Sequence, residues 1–364
     1  MLATTPTLED LLERLLSLGG SDLHLKVGSP PAYRIHGDLQ TADLPSLTPD
    51  QTREILESML PGHLSPPTAE SDVDFAWGRQ DLGRFRVTSY TQRGSINVTV
   101  RAVPTSIETL ANLGLPPAIT KLANETRGLI VVTGPAGAGK TTTCAAIIDH
   151  INATRRANII TLEDPIEVLH RDKLSIVSQR EVGLDMSSLA AGLSSVLRQD
   201  SDVIYLGELR DRDTIEGALV AAETGHLVLT TMYTTDAVET VHRILDSFPP
   251  FLERRIRQML ASSLTAITSQ RLLPRNEGSG RVPAVEVMLN TEAVTERLIG
   301  TEPMSTLHEM IAEGAFYGMR TLDQAIVERY EAGEVSFSDA LMHVASPRDF
   351  KLATGALTGS APKQ

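Results

Sequence analysis

Eight consecutive residues, Gly134-Pro135-Ala136-Gly137-Ala138-Gly139-Lys140-Thr141, fit the pattern G-x-x-x-x-G-K-[ST] at every fixed position. Each residue type has a chemical reason to be there. Glycines let the backbone curl so that successive N–H groups converge on phosphate oxygens. A helix beginning at the lysine adds the partial positive charge of its N-terminus. Lys140 is then placed to reach the β- and γ-phosphates of a nucleoside triphosphate, and the Thr141 hydroxyl to sit on Mg²⁺. Thr142, the next residue, completes the nucleotide-binding set. The competing interpretation is a glycine-rich turn that holds no phosphate.

Phosphoryl transfer also needs a group that orients the attacking water. Glu208 follows the apolar run Val203-Ile204-Tyr205-Leu206 and Gly207, a Walker-B-type arrangement with a carboxylate at a strand tip. Such a carboxylate can position water and contact Mg²⁺ or its water shell. Glu163 and Asp164 end the run Asn158–Leu162 in the same way and could share metal or water duty. An open α/β sheet presents its ligand site at these C-terminal strand ends. The plainer alternative is that the acids cap the next helix or pair with Arg210. His226 opens a strand directly after Gly225, and alone a histidine there is more often structural than catalytic.

The surrounding pattern supplies the elements that would hold these groups. Gly128–Thr133 reads as a buried, β-branched strand into the loop, and Cys144, Ile147, Ile148 and Ile151 mark one face of the helix after it. Strands and helices then alternate, which predicts a parallel sheet with helices on both faces. From Val238 onward the pattern reads as almost wholly helical, with breaks at Pro249-Pro250 and Gly278-Ser279-Gly280. Residues 1–105 read differently: a helix capped by Thr7, two strands, a helix capped by Thr48, then three strands. That is a compact α+β domain. The expected fold class is therefore α/β, with domain 1–105, a proline-punctuated linker 106–117, an ATPase domain 118–354 including C-terminal helices, and a small polar tail 355–364 expected to be disordered.

Composition narrows the function classes. The formal net charge of −13 argues against a general nucleic-acid binder, which needs excess Lys and Arg. A single cysteine, Cys144, excludes a disulfide framework and a Cys-only zinc site. No apolar run approaches a membrane span and no signal peptide opens the chain, so a cytoplasmic location is expected.

Four boxes in order carry a family resemblance: the phosphate loop, Ile160-Thr161-Leu162-Glu163-Asp164-Pro165-Ile166-Glu167, Gly207-Glu208-Leu209-Arg210-Asp211, and Ala222-Glu223-Thr224-Gly225-His226-Leu227. They resemble the Walker A, Asp, Walker B and His boxes of secretion-type hexameric ATPases. Within that superfamily the chain is similar to the type IV pilus retraction ATPases, the PilT/PilU family. Gly20-Ser21-Asp22-Leu23-His24, Gly83–Val87, Gln179–Gly183 and Gly318–Ala325 extend the match over nearly the whole chain. Ser269-Gln270-Arg271-Leu272-Leu273-Pro274 and the stretch from Gly333 to Pro347 lean towards PilU.

The resemblance implies a PAS-like N-terminal domain joined to a RecA-like ATPase domain, assembled as a homohexamer that binds ATP and Mg²⁺. It implies Glu208 as catalytic glutamate, Glu163 as Asp-box acid and His226 as first His-box residue. Arg84, Arg86 and Arg101 would be interdomain or intersubunit arginines reaching for phosphate; their plainer role is a solvated strand face. The ring would sit at the inner membrane as a peripheral protein acting on the pilus platform protein, with a sister PilT-type ATPase as a further partner.

Two positions depart from the family. The second His-box histidine is replaced by Tyr233, and the motif written AIRNLIRE is degraded to Val294-Thr295-Glu296-Arg297-Leu298-Ile299-Gly300. Tyrosine hydrogen-bonds but carries no charge near neutral pH. Three rivals follow: a regulatory subunit with weak turnover, an assembly ATPase, and a DNA-translocating motor. One cysteine cannot supply the paired C-x-x-C zinc site common in assembly relatives, and the acidic charge disfavours DNA.

Overall fold

The computed structural model describes residues 7–35, 37–62, 64–79, 81–104, 106–278, 280–300 and 302–355. The chain divides into two compact units: one reaches Ser106 and includes Glu167–Leu169, and the other holds Ile107–Ile166 and His170 onward.

The first unit runs α1 (Leu8–Ser17), β1 (Gly20–Leu25), β2 (Ala32–Ile35), β3 (Asp38–Thr41), α2 (Pro49–Met59), β4 (Val73–Arg79), β5 (Gly83–Gln92) and β6 (Ser95–Ala102). Both helices begin with reciprocal capping boxes, Thr7 with Asp10 and Thr48 with Gln51. The strands form one antiparallel sheet in the order β3-β2-β1-β6-β5-β4. Strand β3 is an addition to the expected pattern. All four of its residues are exposed, so it has no apolar alternation to read. Along β5, Phe85 and Val87 enter the core with Leu11, Leu15, Leu23 and Val100. Period two therefore puts Arg84 and Arg86 on the opposite face.

The second unit continues α3 (Pro117–Leu122), β7 (Gly128–Thr133), α4 (Lys140–Thr154), β8 (Asn158–Glu163), β9 (Ile176–Glu181), α5 (Leu189–Val196), β10 (Val203–Leu206), α6 (Arg212–Glu223), β11 (Leu227–Met232), α7 (Ala237–Asp246), α8 (Glu253–Ser263), β12 (Leu264–Pro274), β13 (Arg281–Leu289), α9 (Glu292–Ile299), α10 (Thr306–Glu313), α11 (Leu322–Glu331), α12 (Phe337–His343) and α13 (Pro347–Ala353). Its sheet has the order β13-β12-β7-β11-β10-β8-β9. Every neighbouring pair is parallel except β12 with β13. Both faces are covered, as an apolar run such as β7 requires. Leu129 and Val131 pack with α5, α6, α7 and α8 residues on one side, and Ile130 and Val132 with Ile147, Ile148 and Ile151 of α4 on the other.

The expectation of nearly continuous helix after Val238 is wrong. Strands β12 and β13 make a long antiparallel hairpin with nine paired positions on each strand. Their buried runs are filled from both sides, so they lack the alternation that marks a half-buried strand. The end of β12 packs Leu273 against Ala325, Ile326, Val335 and Phe350, joining the sheet to the C-terminal helices. The degraded motif Val294–Gly300 lies on α9, where Val294 and Leu298 are buried. Residues 356–364 of the expected tail lie outside the described residues.

Candidate functional site

The phosphate loop joins β7 to α4, and its glycines are forced by geometry. Gly134 has φ +142°, and a Cβ there would lie 2.3 Å from the Gln270 carbonyl oxygen. Gly139, the N-cap of α4, has φ +89° and would place a Cβ 2.8 Å from Gln270 Nε2. No side chain caps α4, so its first N–H groups are directed at whatever the loop encloses. Pro135, Ala136 and Gly137 form the exposed lip of the loop and Ala138 packs inward. Thr141 is half-buried and Thr142 exposed on the first turn.

Lys140 is 6 % exposed, and its Nζ donates to Gly134 O at 2.7 Å and Pro135 O at 3.0 Å. The Tyr233 ring centroid lies 3.7 Å from the same nitrogen. Tyr233 is the first residue beyond β11, and β11 pairs in register with β7 so that Met232 faces Thr133. The position where this chain departs from the family pattern is therefore delivered onto Lys140.

Register also brings the acids to this edge. Leu206 pairs with Leu162 and Thr230, so Glu208 and Glu163 emerge beside each other and beside the loop. Glu163 is buried, and its Oε1 accepts from Thr161 Oγ1 (2.7 Å) and Gln179 Nε2 (3.0 Å). Glu208 accepts from Arg210 Nε at 2.6 Å, and Arg210 Nη1 lies 3.4 Å from Asp164 Oδ2. The Glu208 hydrogen bond raises the Arg210 pKa, with added attraction from the Glu208 and Asp164 carboxylates. The pairing with Arg210, the plainer of the two roles, is thus present, and the carboxylate still stands at the strand tip beside the phosphate loop.

His226 does not join this group. Its carbonyl accepts from Gly128 N (3.0 Å) at the start of β7, whereas the loop leaves the far end of that strand. Six residues of strand separate the two, roughly 20 Å. Its Nδ1 lies 3.0 Å from Ala221 O, a bond that ties the strand to the end of α6. His226 thus lies at the opposite edge of the sheet from this chain's own phosphate loop.

The three arginines of the first unit share one sheet face, and Arg86 sits directly opposite Arg101. Like charges so placed repel unless each has a counter-ion. Arg86 holds Asp74 through Nε, 3.1 Å from both carboxylate oxygens, and through Nη2. Arg101 Nε donates to buried Asp22 at 2.7 Å. Burial works to raise the Asp22 pKa, but hydrogen bonds from Ser21 and Arg101 with the Arg101 charge hold it low. Arg84 is half-buried on the same face, and its carbonyl accepts from Val103 N.

Strand β12 adds residues that spacing alone did not single out. Ser269 Oγ and Thr133 Oγ1 are 2.6 Å apart, and Thr143 Oγ1 donates to Gln270 Oε1 at 2.9 Å. Gln270 thereby touches both the entry and the exit of the phosphate loop. Its only sequence signal was membership in the stretch Ser269–Pro274 that carried the family resemblance. Burial raises the Cys144 thiol pKa strongly, opposed by Lys140 and assisted by Glu163, which places both charges near the first turns of α4.

A parallel sheet with this loop and carboxylates on the adjoining strand tips defines a P-loop nucleotide-binding protein. The family profile described as "Type II/IV secretion system protein" matches residues 79–311. The type IV pilus ATPase PilU of Pseudomonas aeruginosa is 38% identical over 345 residues, 94% of this chain and 90% of that protein. The type IV pilus retractation ATPase PilT of the same organism is 37% identical over 342 residues, 94% of this chain and 99% of that one. The crystal structure of the pilus retraction motor PilT with bound ADP superposes with a TM-score of 0.84 at 39% identity, covering 95% of this chain and 99% of that one. The chain belongs to the Type II/IV secretion system protein family, in its PilT/PilU group. Among the described residues no helix is long and apolar enough to cross a membrane.

Proposed function

We propose that this chain is the subunit of a hexameric ATPase motor that powers type IV pilus retraction and twitching motility. The observation that carries the reading is the convergence of Lys140, Thr141, Glu163 and Glu208 on one edge of the parallel sheet. Similarity over nearly the full length to PilU and PilT supports the pilus assignment.

In this reading residues 1–105 are a PAS-like domain, 106–117 a linker, 118–354 a RecA-like ATPase domain and 355–364 a tail. ATP phosphates lie on the loop residues Gly134–Thr142 with Lys140 as their cation. Mg²⁺ keeps most of its ligands as water and phosphate oxygen. One hydroxyl, Thr141, and the carboxylates of Glu208 and Glu163 therefore suit it without a closed protein cage. No group of three or more His, Cys, Asp or Glu that could hold a metal occurs among the described residues. The ion would neutralise developing phosphate charge. Glu208 orients the water once Arg210 releases it, and Arg210 can then turn its charge to phosphate. Glu163, fixed by Thr161 and Gln179, supports that water or the metal. Arg86 and Arg101 serve phosphate by exchanging Asp74 and Asp22 for it, and Arg84 is the third of that set.

The ring works in the cytoplasm, peripheral at the inner membrane, on the pilus platform protein. A second reading, an accessory subunit of a sister retraction ATPase with weak turnover, is favoured by Tyr233 lying on Lys140. Phosphate release and particle mass of the purified chain, with pilus retraction in cells lacking and regaining it, test the proposal. Turnover by a six-subunit ring that restores retraction supports a motor. Nucleotide binding without turnover, and retraction only with a sister ATPase, moves the assignment to the accessory reading.

A further inference from the structure

Lys140 of the phosphate loop and Tyr233, at the position of the second His-box histidine, are in contact. The ammonium has three N–H donors. Gly134 O and Pro135 O take hydrogen bonds from it, and the Tyr233 ring stands 3.7 Å away. At that distance a cation is held by the negative face of an aromatic ring, and the hold strengthens as water is excluded. Lys140 is almost wholly buried, so its ammonium meets little water, whereas Tyr233 is 59 % exposed. Phosphate approaching Lys140 meets these three among its protein partners. The two carbonyls belong to the loop backbone, and the tyrosine side chain is the partner that rotates aside with least disturbance.

Leu209 N donates to Thr231 O at 2.9 Å, which brings the segment carrying Arg210 alongside the end of β11 that Tyr233 follows. Arg210 in turn holds Glu208. One exposed aromatic side chain thus touches the cation that binds phosphate, on the strand next to the segment whose Arg210 holds the water-orienting acid.

We propose that Tyr233 is an affinity-setting residue: its ring competes with the β- and γ-phosphates for the Lys140 ammonium, weakening nucleotide binding and hastening release of the diphosphate. This rests on the nucleotide reading of the phosphate loop. The competition belongs to the ring face and not to the hydroxyl. Tyr233→Phe retains it, and Tyr233→Ala removes it. The exposed position lets both variants fold.

Calorimetric titration of the full-length chain with MgADP, alongside stopped-flow release of the same nucleotide, tests the proposal. Tyr233→Ala should bind MgADP about 2- to 30-fold more tightly than the parent, the range of one cation–ring contact from exposed to desolvated. The gain should lie in a slower release rate, and Tyr233→Phe should match the parent within about twofold. Equal or weaker binding by Tyr233→Ala overturns the proposal, as does a Tyr233→Phe variant that behaves like Tyr233→Ala. Lys140→Ala separates the underlying reading: if the parent and Lys140→Ala take up MgADP alike, the loop is not the nucleotide site, whatever Tyr233 does.

Discussion

The two ends of β11 carry residues that the family pattern treats as one box, and the fold sets them at opposite edges of the sheet. His226 precedes the strand and bonds the end of α6, while Tyr233 follows it and lies on Lys140. Six strand residues separate them. In a parallel sheet the crossovers return every chain to the same starting edge, so loops at the other edge converge. Lys140, Glu163, Glu208 and Tyr233 are brought together there although 93 positions separate the first in sequence, 140, from the last, 233. A residue's place along its strand decides which edge of the sheet it reaches, whatever motif it belongs to.

The largest expected effect is at that edge. Lys140→Ala removes the phosphate cation and also the partner of the Tyr233 ring, so hydrolysis should fall to background. Nucleotide affinity should drop about 10- to 100-fold, the scale of a charged hydrogen bond. Equilibrium binding with a matched circular-dichroism spectrum checks it. An unchanged hydrolysis rate would remove the phosphate loop from the chemistry.

The phosphate loop was legible in the sequence because glycine spacing encodes backbone shape directly. Gly134 is required because a Cβ there would lie 2.3 Å from the Gln270 carbonyl oxygen, and Gly139 because its φ is +89°. The bond between Thr143 and Gln270 was not legible, because the two are 127 positions apart and no local pattern announces it. Strands β12 and β13 were lost to an apolar continuity that period alone cannot assign. The capping boxes at Thr7 and Thr48 were readable because each is completed within one helical turn. The ion pairs of Arg86 and Arg101 were not, since each depends on strand register.

A smaller effect sharpens how the Tyr233 edge is held. Glu286 on β13 accepts from Ala237 N at 2.7 Å and Leu322 N at 3.3 Å, so one carboxylate caps both α7 and α11. Helix α7 starts four residues beyond Tyr233. Burial raises the Glu286 pKa from 4.5 to about 7, with the charges of Asp236 and Asp323 adding to it and the two backbone hydrogen bonds opposing. An acid with a raised folded-state pKa binds its proton more tightly when folded. Its contribution, roughly 3 kcal/mol, is present below pH ~4.5 and lost as pH rises through ~7. Glu286→Gln should therefore lose less melting temperature than the parent between pH 5 and 8, and parallel melting curves would contradict this.

The smallest effect belongs to the other end of the strand. His226→Ala should keep ATP turnover within about twofold of the parent, with some loss of thermal stability from the missing Ala221 bond, about 1 kcal/mol. A loss of turnover with unchanged binding would return His226 to the catalytic group and break the contrast between the two ends.

The C-terminal edge of the sheet is expected to hydrolyse nucleotide with Glu208 as the group that orients water. Glu208→Gln preserves shape and removes the charge, so equilibrium binding and steady-state turnover should be measured on the same preparation. Binding should stay within a few-fold of the parent while turnover falls by roughly 100-fold or more, the scale of a positioned acid–base group. Equal losses in both would assign Glu208 to holding Arg210 in place and contradict the account.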